Sequence, residues 1–303
     1  MDHLIIDGFG LVFRSHFAFL NLQTTRGVSS GSVYGFLVSL RSIKNRFPQC
    51  HVTIAWDSYS RRRKELFPEY KATRPKFTLS EQVLDLKELF KHLNVDQAEC
   101  ENEEGDDVIA TLTKRFLEED NQIFIYTADK DMLQLVKDGR VIVIRPKSGA
   151  RPERTFDEEE IKKEYGVGPE DLVSYFCFRG DKIDNIPGVS MLRSACIVDL
   201  VKKYKSPEEI YKNLENEKLT HFAKQSLLGF ESQAYLNTGL VKLQEDLNFD
   251  ITKGIPDPLL IAPVIEKYEM NSIRPETFTK VFTDVTGFSN RRSPAIKSFS
   301  LFD

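Results

Sequence analysis

The sequence predicts an α/β fold, a mostly parallel twisted sheet with helices on both faces. Three observations predict it. Short apolar runs alternate with amphipathic stretches of helical length through the first half of the 303 residues, the pattern of strands joined by helical crossovers. Three of those runs close on an aspartate, at Asp7, Asp57 and Asp129. The second half is mainly helical in pattern.

In chain order, Leu4-Ile5-Ile6 is the first strand. Residues 32–46 follow with Val33, Phe36, Leu37, Leu40 and Ile43 at helical spacing. Val52-Thr53-Ile54-Ala55-Trp56 is the second strand. Residues 81–93 put Val83, Leu86, Leu89, Phe90 and Leu93 on one side of a helix, and 106–118 do the same with Val108, Ile109, Leu112 and Phe116. Ile123-Phe124-Ile125-Tyr126 is the third strand and Val141-Ile142-Val143-Ile144 the fourth. Asp157-Glu158-Glu159-Glu160 reads as an acidic first helical turn, which the macrodipole favours. Helices are expected at 169–178, 191–204 and 207–214, the last with Pro207 in its first turn. Pro256, Pro258 and Pro263 predict an irregular stretch, and 289–297 a flexible basic tail.

Composition narrows the class. Hydrophobic residues are 41% and charged residues 29%, which fits a globular chain and excludes a fibrous or disordered one. No run approaches the roughly 20 apolar residues of a membrane span, and no signal peptide is expected. Cys50, Cys100, Cys177 and Cys196 are too scattered for a disulfide framework. A cytoplasmic location with reduced thiols is therefore expected. The net charge of −4 argues at first sight against a polyanionic partner.

Where that charge lies reverses the argument. In an open α/β sheet, ligands bind outside the carboxyl ends of the strands. Parallel neighbours would bring Asp7, Asp57, Asp129 and the nearby Asp131 to one edge. Residues 96–107 add seven acids and no base, Glu104, Asp106 and Asp107 among them, and lead into the helix near Asp106. A helix N-terminus accounts for one or two acids, not for this number beside three strand ends. Asp181 and Asp184 are two further candidates, on spacing alone equally a turn or cap. So many carboxylates in one cleft repel each other unless cations are bound, and oxygen-only ligands suit Mg²⁺ or Mn²⁺. Two other metal patterns fail. Leu133 and Gln134 break an EF-hand loop, and His3, His16, His51, His92 and His221 show no zinc-type pairing.

Residues 61–76, RRRKELFPEYKATRPK, hold seven basic and two acidic residues. Arg61, Arg62, Arg63, Lys64, Lys71, Arg74 and Lys76 supply the charge, and Phe67 and Tyr70 offer stacking surfaces, the combination that holds single-stranded nucleic acid. A solvated basic helix is the plainer alternative. The segment directly follows Asp57, so it would overhang the acidic cleft.

These motifs together resemble the 5′-nuclease, or flap endonuclease, superfamily. Its members include the 5′→3′ exonuclease domain of bacterial DNA polymerase I and stand-alone bacteriophage enzymes. The resemblance runs through most of residues 3–250. It rests on Ile5-Ile6-Asp7-Gly8 with Arg14, Gly31-x-Val33-Tyr34-Gly35-Phe36, Trp56-Asp57, Pro68-Glu69-Tyr70-Lys71-Ala72-x-Arg74, Glu104-Gly105-Asp106-Asp107-Val108, Thr127-Ala128-Asp129-Lys130-Asp131 and Gly180-Asp181-x-x-Asp184-Asn185-Ile186-Pro187-Gly188-Val189. Each is weak alone; seven in order are specific.

The resemblance implies a PIN-like nuclease domain over 1–180 with a helical arch at 61–76. It further implies a helical duplex-binding region at 181–287 and a tail at 288–303. Asp7, Asp57, Glu104, Asp106, Asp107, Asp129, Asp131, Asp181 and Asp184 would hold two Mg²⁺ or Mn²⁺ ions. Lys71 would stabilise charge at the scissile phosphate, with Arg14, Asp129 and Asp131 also in the catalytic set. Arg14 and Arg74 would contact phosphate and Tyr70 would stack on a displaced base. The implied reaction is two-metal hydrolysis of a phosphodiester near a 5′ flap–duplex junction, with RNA primers on DNA as a second substrate class.

Two departures stand out. The family's Gly-hydrophobic-Gly after Pro-Gly-Val, part of a helix-hairpin-helix, is Met191-Leu192-Arg193 here, and a usual lysine is Ala195. The potassium ion family members hold there is therefore not expected, and Arg193 is the substitute phosphate contact. Gly105 stands where alanine is common. No polymerase region follows, so a stand-alone enzyme of phage or bacterial cell is expected, acting as a monomer with branched DNA and a single-strand-binding protein. The ending Ser298-Phe299-Ser300-Leu301-Phe302-Asp303 reads as a sliding-clamp peptide through Leu301 and Phe302. The alternatives are a PIN-type ribonuclease, an aspartyl phosphotransferase, and a DNA-structure-binding protein with lost catalysis.

Overall fold

The computed structural model describes residues 1–58, 60–74 and 79–283. Lys76, Leu301 and Phe302 lie outside the described residues. The chain opens β1 (His3–Asp7), α1 (Gly8–Ala18), α2 (Gly31–Arg46), β2 (His51–Trp56), α3 (Arg61–Leu66), α4 (Ser80–Lys91) and β3 (Val95–Glu99). It continues α5 (Gly105–Glu118), β4 (Ile123–Tyr126), β5 (Val141–Arg145), β6 (Arg154–Phe156), α6 (Glu158–Tyr165), α7 (Leu172–Arg179) and α8 (Ser194–Tyr204). It closes α9 (Pro207–Asn213), α10 (His221–Leu228), α11 (Glu231–Val241), β7 (Ile251–Thr252), α12 (Pro258–Lys267) and α13 (Pro275–Thr283).

The strands form one sheet in the order β6-β5-β4-β1-β2-β3-β7. The pairs from β5 through β3 are parallel, and β6 and β7 close the edges antiparallel. Alternation along each strand sorts side chains to two faces. Leu4, Ile6, Val52, Ile54, Trp56, Phe124 and Tyr126 join one apolar cluster with α2, α4, α12 and α13. Ile5, Ala55, Ile123 and Ile125 join the other, which also takes in Val108 and Leu112 of α5 and runs on through Phe178, Leu200 and Leu240. Gly8 lets α1 leave β1 tight against β2, since a Cβ there would meet the Trp56 ring at 2.6 Å and the Ala55 carbonyl at 2.7 Å.

Three expectations change. The acidic segment 96–107 is not one lead-in to a helix. Its first part is β3, where Asp96 and Gln97 are buried and satisfied. The Trp56 indole donates to Gln97 at 3.0 Å, and the Gln97 amide donates to the Lys87 carbonyl at 2.9 Å. The proline stretch is helical from Pro258, with Pro263 inside α12. The helix expected from 191 starts at Ser194, because Met191 is left-handed (φ 58°) and Arg193 extended. No helix among the described residues is long and apolar enough to cross a membrane.

Candidate active site

β4, β1 and β2 are adjacent and parallel, so Asp7, Asp57 and Asp129 leave the sheet side by side at its carboxyl edge. Each is oriented by main-chain donors. Asp7 caps α1, accepting from the Gly10 amide at 2.7 Å, and accepts from the Thr127 hydroxyl at 2.7 Å. Thr127 thereby ties the end of β4 to the end of β1. Asp57 accepts from the Gly105 amide at 2.5 Å, so the start of α5 is fastened to the end of β2. Asp129 accepts from the Asp131 amide at 2.8 Å.

Two further elements deliver the remaining acids. α5 places Asp106 in its first turn, and Glu104 just before it. The loop after α7 carries Asp181 and Asp184. The Asp181 carboxylate accepts from the Ile183 amide at 2.7 Å. It also meets the Lys130 ammonium at 2.6 Å, and Lys130 meets Asp131 at 3.3 Å.

The electrostatics mark one cluster. Burial pushes Asp57 up to about 7, with Asp7 adding to it. Burial, then Asp129, pushes Asp131 up to about 7. Burial also raises Asp7, Asp106 and Asp184, and Asp129 raises each of them further. Burial would raise Glu104 too, but Lys71 and Arg63 outweigh it and hold that carboxyl low. These carboxylates sit where ionisation of one opposes ionisation of the next.

The basic segment is helical over α3 and turns from Pro68 to Arg74. Lys71 adopts φ 54° and points its ammonium at Glu104, 2.9 Å away. Its amide donates to the Asp184 carbonyl at 3.0 Å. The Arg74 guanidinium binds the Asp184 carboxylate, Nε at 3.0 Å. The cationic turn thus lies directly across the acidic cleft.

Several candidates do not face it. Asp107 is fully buried and taken up by protein partners. It accepts from Arg63 at 2.5 and 2.9 Å and from the Gln244 amide at 2.8 Å. Arg63 is 2% exposed, spent on Asp107, Glu104 and the Leu240 carbonyl. Tyr70 is 3% exposed; its hydroxyl donates to Glu104 at 3.1 Å, and the Lys71 ammonium lies 4.9 Å from its ring centroid. The face expected to stack on a base is therefore occupied. Arg62 donates to the Gly239 carbonyl at 2.8 Å, and Lys64 donates to the Tyr70 carbonyl. Arg14 donates to the Lys147 carbonyl across the top of the sheet. Arg61 is exposed and paired with Glu65, and Arg193 is exposed beside α8. Thr127 and Lys130 escaped sequence reasoning although both lie inside a quoted motif; only the fold shows that they touch Asp7 and Asp181.

Among the described residues no three acidic, His or Cys side chains form a group already shaped to hold a metal ion. Lys71, Lys130 and Arg74 pair with Glu104, Asp131, Asp181 and Asp184 across the cleft. The donor set still fits a hard divalent cation, being all oxygen and anionic in excess.

The chain matches two family descriptions, "5'-3' exonuclease, N-terminal resolvase-like domain" over residues 2–166 and "5'-3' exonuclease, C-terminal SAM fold" over 167–255. It is 33% identical over 287 residues to a 5'-3' exonuclease of Aquifex aeolicus, covering 92% of this chain and 95% of that one. It is 29% identical to DNA polymerase I of Bacillus subtilis, covering 82% of this chain but 28% of the polymerase. Its fold is similar to that of the T5 D15 protein co-crystallised with metal ions, with a TM-score of 0.64 at 18% identity over 94% of this chain and 100% of that one. It is also similar to the catalytic core of Rad2 in complex with DNA, with a TM-score of 0.58 at 12% identity over 94% and 92%.

Proposed function

The chain belongs to the 5′-3′ exonuclease family, and from that premise we propose that it is a structure-specific 5′ nuclease cutting near flap–duplex junctions with two Mg²⁺ ions. One observation supports the reading most: the strand-end aspartates Asp7, Asp57 and Asp129 share an edge with Asp106, Asp131 and Asp184, under a turn bearing Lys71 and Arg74.

Asp7, Asp57, Asp106, Asp129, Asp131, Asp181 and Asp184 would hold the ions, with Glu104 at the border to Lys71. Bound divalent cations would supply Lewis-acid charge to the scissile phosphate and the attacking water. The chain's own residues do the rest. Thr127 and Gly105 hold Asp7 and Asp57 in place before substrate arrives. Lys71 exchanges Glu104 for a phosphate oxygen and meets the negative charge that grows there. Arg74 and Arg61 draw in the single strand, and Arg193 contacts duplex backbone. Asp107, Arg63 and Tyr70 brace Glu104 and the base of α3 instead of touching substrate.

The test uses 5′-labelled flap DNA with Mg²⁺, with EDTA, and with Asp129→Asn. Short flap-derived products are expected only from the unaltered protein in Mg²⁺. Cleavage that persists in EDTA overturns the metal mechanism. Lys71→Ala should lower kcat by roughly 10²–10³-fold while flap affinity moves little, because a contact realised in the transition state acts on turnover. Leu301 and Phe302 remain the proposed clamp peptide. Deleting 298–303 should abolish clamp binding and spare flap cleavage.

A further inference from the structure

The carboxylates Asp181 and Asp184 ride on a loop whose tip, Lys182 and Ile183, is exposed, Ile183 by 70%, while Ile186 and Val189 of its return limb join the core. Gly180 (φ 69°) and Gly188 pack backbone on backbone, a Cβ on Gly180 meeting the Gly188 amide nitrogen at 2.4 Å. The Asp181 and Ile186 amides and carbonyls bond reciprocally at 2.9 and 2.7 Å, and the Val189 amide donates to Phe178 at 2.9 Å. The loop is therefore pinched at its neck.

Asn237 of α11 grips it. The side chain is fully buried. Its amide nitrogen donates to the Cys177 carbonyl at 2.8 Å and to the Pro187 carbonyl at 2.7 Å, one on each side of the neck. Its oxygen accepts from the Gln233 amide at 2.8 Å, one helical turn away, which fixes which end of the amide points at the loop. Its amide nitrogen thus joins the last turns of α7 to the return limb of the loop. No other terminal group of similar size presents two donors from one atom and an acceptor behind it.

The same helix holds the opposite wall of the cleft. Arg62 donates to the Gly239 carbonyl at 2.8 Å and Arg63 to the Leu240 carbonyl at 2.9 Å. The loop and the basic turn also clasp each other, through the Lys71 amide on the Asp184 carbonyl at 3.0 Å and the Asn185 amide on the Glu69 carbonyl at 3.0 Å. α11 is thus the shared anchor of both.

We propose that Asn237 is a positioning residue: by bridging the Cys177 and Pro187 carbonyls it sets the loop that presents Asp181 and Asp184, and so governs how the cleft takes up divalent cation. This rests on the metal-dependent reading above and adds to it a residue remote from substrate. Groups that orient carboxylate ligands typically change metal affinity by about 10–100-fold when removed.

The experiment measures Mg²⁺ binding by calorimetry without DNA, alongside the Mg²⁺ dependence of cleavage, for the unaltered protein, Asn237→Leu and Gln233→Ala. Asn237→Leu is close in volume and has no donors. It should weaken Mg²⁺ binding about tenfold or more, with flap affinity in Ca²⁺ little changed. Gln233→Ala leaves the donors but frees the amide to turn, and a several-fold weakening is expected. Wild-type Mg²⁺ affinity in both variants overturns the proposal, even if their melting temperatures fall, because that pattern marks a purely structural residue. Should Asn237→Leu not fold, Gln233→Ala decides alone, an unchanged affinity again overturning it. Absence of Mg²⁺-dependent cleavage in the unaltered protein would instead strike the functional reading, while the comparison of binding isotherms stands.

Discussion

Arg61 and Arg63 sit two positions apart in one basic run and do opposite work. Helical periodicity turns Arg61 to solvent, paired with Glu65 at 2.7 Å, and turns Arg63 inward against Asp107 at 2.5 Å. A surface pair of the first kind contributes little, because water and salt screen it. Cutting one partner out of a buried pair strands a charge and costs about 3–5 kcal/mol. Arg63→Met is therefore expected to lower unfolding free energy by about that amount in urea, and Arg63→Met with Asp107→Leu to regain much of it. Arg61→Ala should leave stability essentially unchanged and weaken flap binding in low salt. Equal, small losses for Arg61 and Arg63 would overturn the assignment. The sequence shows a charge run; which arginine finds Asp107, 44 residues on, is a non-local fact. For the same reason Asp107 reads from sequence as one more ligand, and Tyr70 as a stacking ring.

At the level of elements, legibility followed how each one is buried. The four strands expected from sequence are covered on both faces, so they read as unbroken apolar runs. β3 carries Asp96 and Gln97 inside, each paid for by a specific partner, and such a strand has no apolar signature. Its acids merged in sequence with those of α5, which do belong to the cleft. The converging aspartates were legible because strand ends are local features and parallel order follows from alternation. Asn237 was not, since nothing in α11 distinguishes it until Cys177 and Pro187 fold against it. α12 is the case where tertiary burial overrides propensity: Ile261, Val264, Ile265 and Tyr268 are buried, enough to keep a helix through Pro263. That proline is exposed and withholds an amide from the helix. Interior proline costs about 3 kcal/mol, against about 1 kcal/mol it returns by stiffening the unfolded chain. Pro263→Ala should therefore stabilise by roughly 1–2 kcal/mol and raise Tm by a few degrees, with cleavage unaltered. A lower Tm in differential scanning would show that the proline is matched to its packing.

Across the whole molecule, the sheet separates two electrostatic regimes. Its carboxyl edge gathers the acids that make the chain net negative, and its amino edge buries a small group built from three strands and the β7 segment. There His51 lies 2.9 Å from Asp96, and Lys253 reaches the same carboxylate at 2.6 Å. Burial would raise Asp96, but His51 and Lys253 outweigh it and hold it below the usual range. His3, stacked on Phe116 with ring centroids 3.7 Å apart, faces His51 and leaves Nδ1 without a partner. Burial first, then His51, pushes His3 down to about 4. The folded protein therefore refuses a proton that the unfolded chain accepts near pH 6.5. Stability is complete above that value and is lost as pH falls from 6.5 towards 4, below which both states are protonated. Asp96 acts in a separate window, its contribution fading only once pH drops below ~4. Between pH 7 and pH 5, His3 should cost up to about 2 kcal/mol of unfolding free energy. Asp57 and Asp131, at the far edge, titrate in the same range and with the opposite sign, so the absolute pH profile mixes both ends. The comparison with His3→Phe separates them, because the cleft is common to both proteins. Phenylalanine keeps the stack on Phe116 and cannot be protonated. Relative to the unaltered protein, His3→Phe should gain stability progressively from pH 7 to pH 5 in urea titrations. Parallel pH profiles for the two proteins would mean that His3 is freely protonated in the fold, and the pH sensitivity would then belong to the cleft alone.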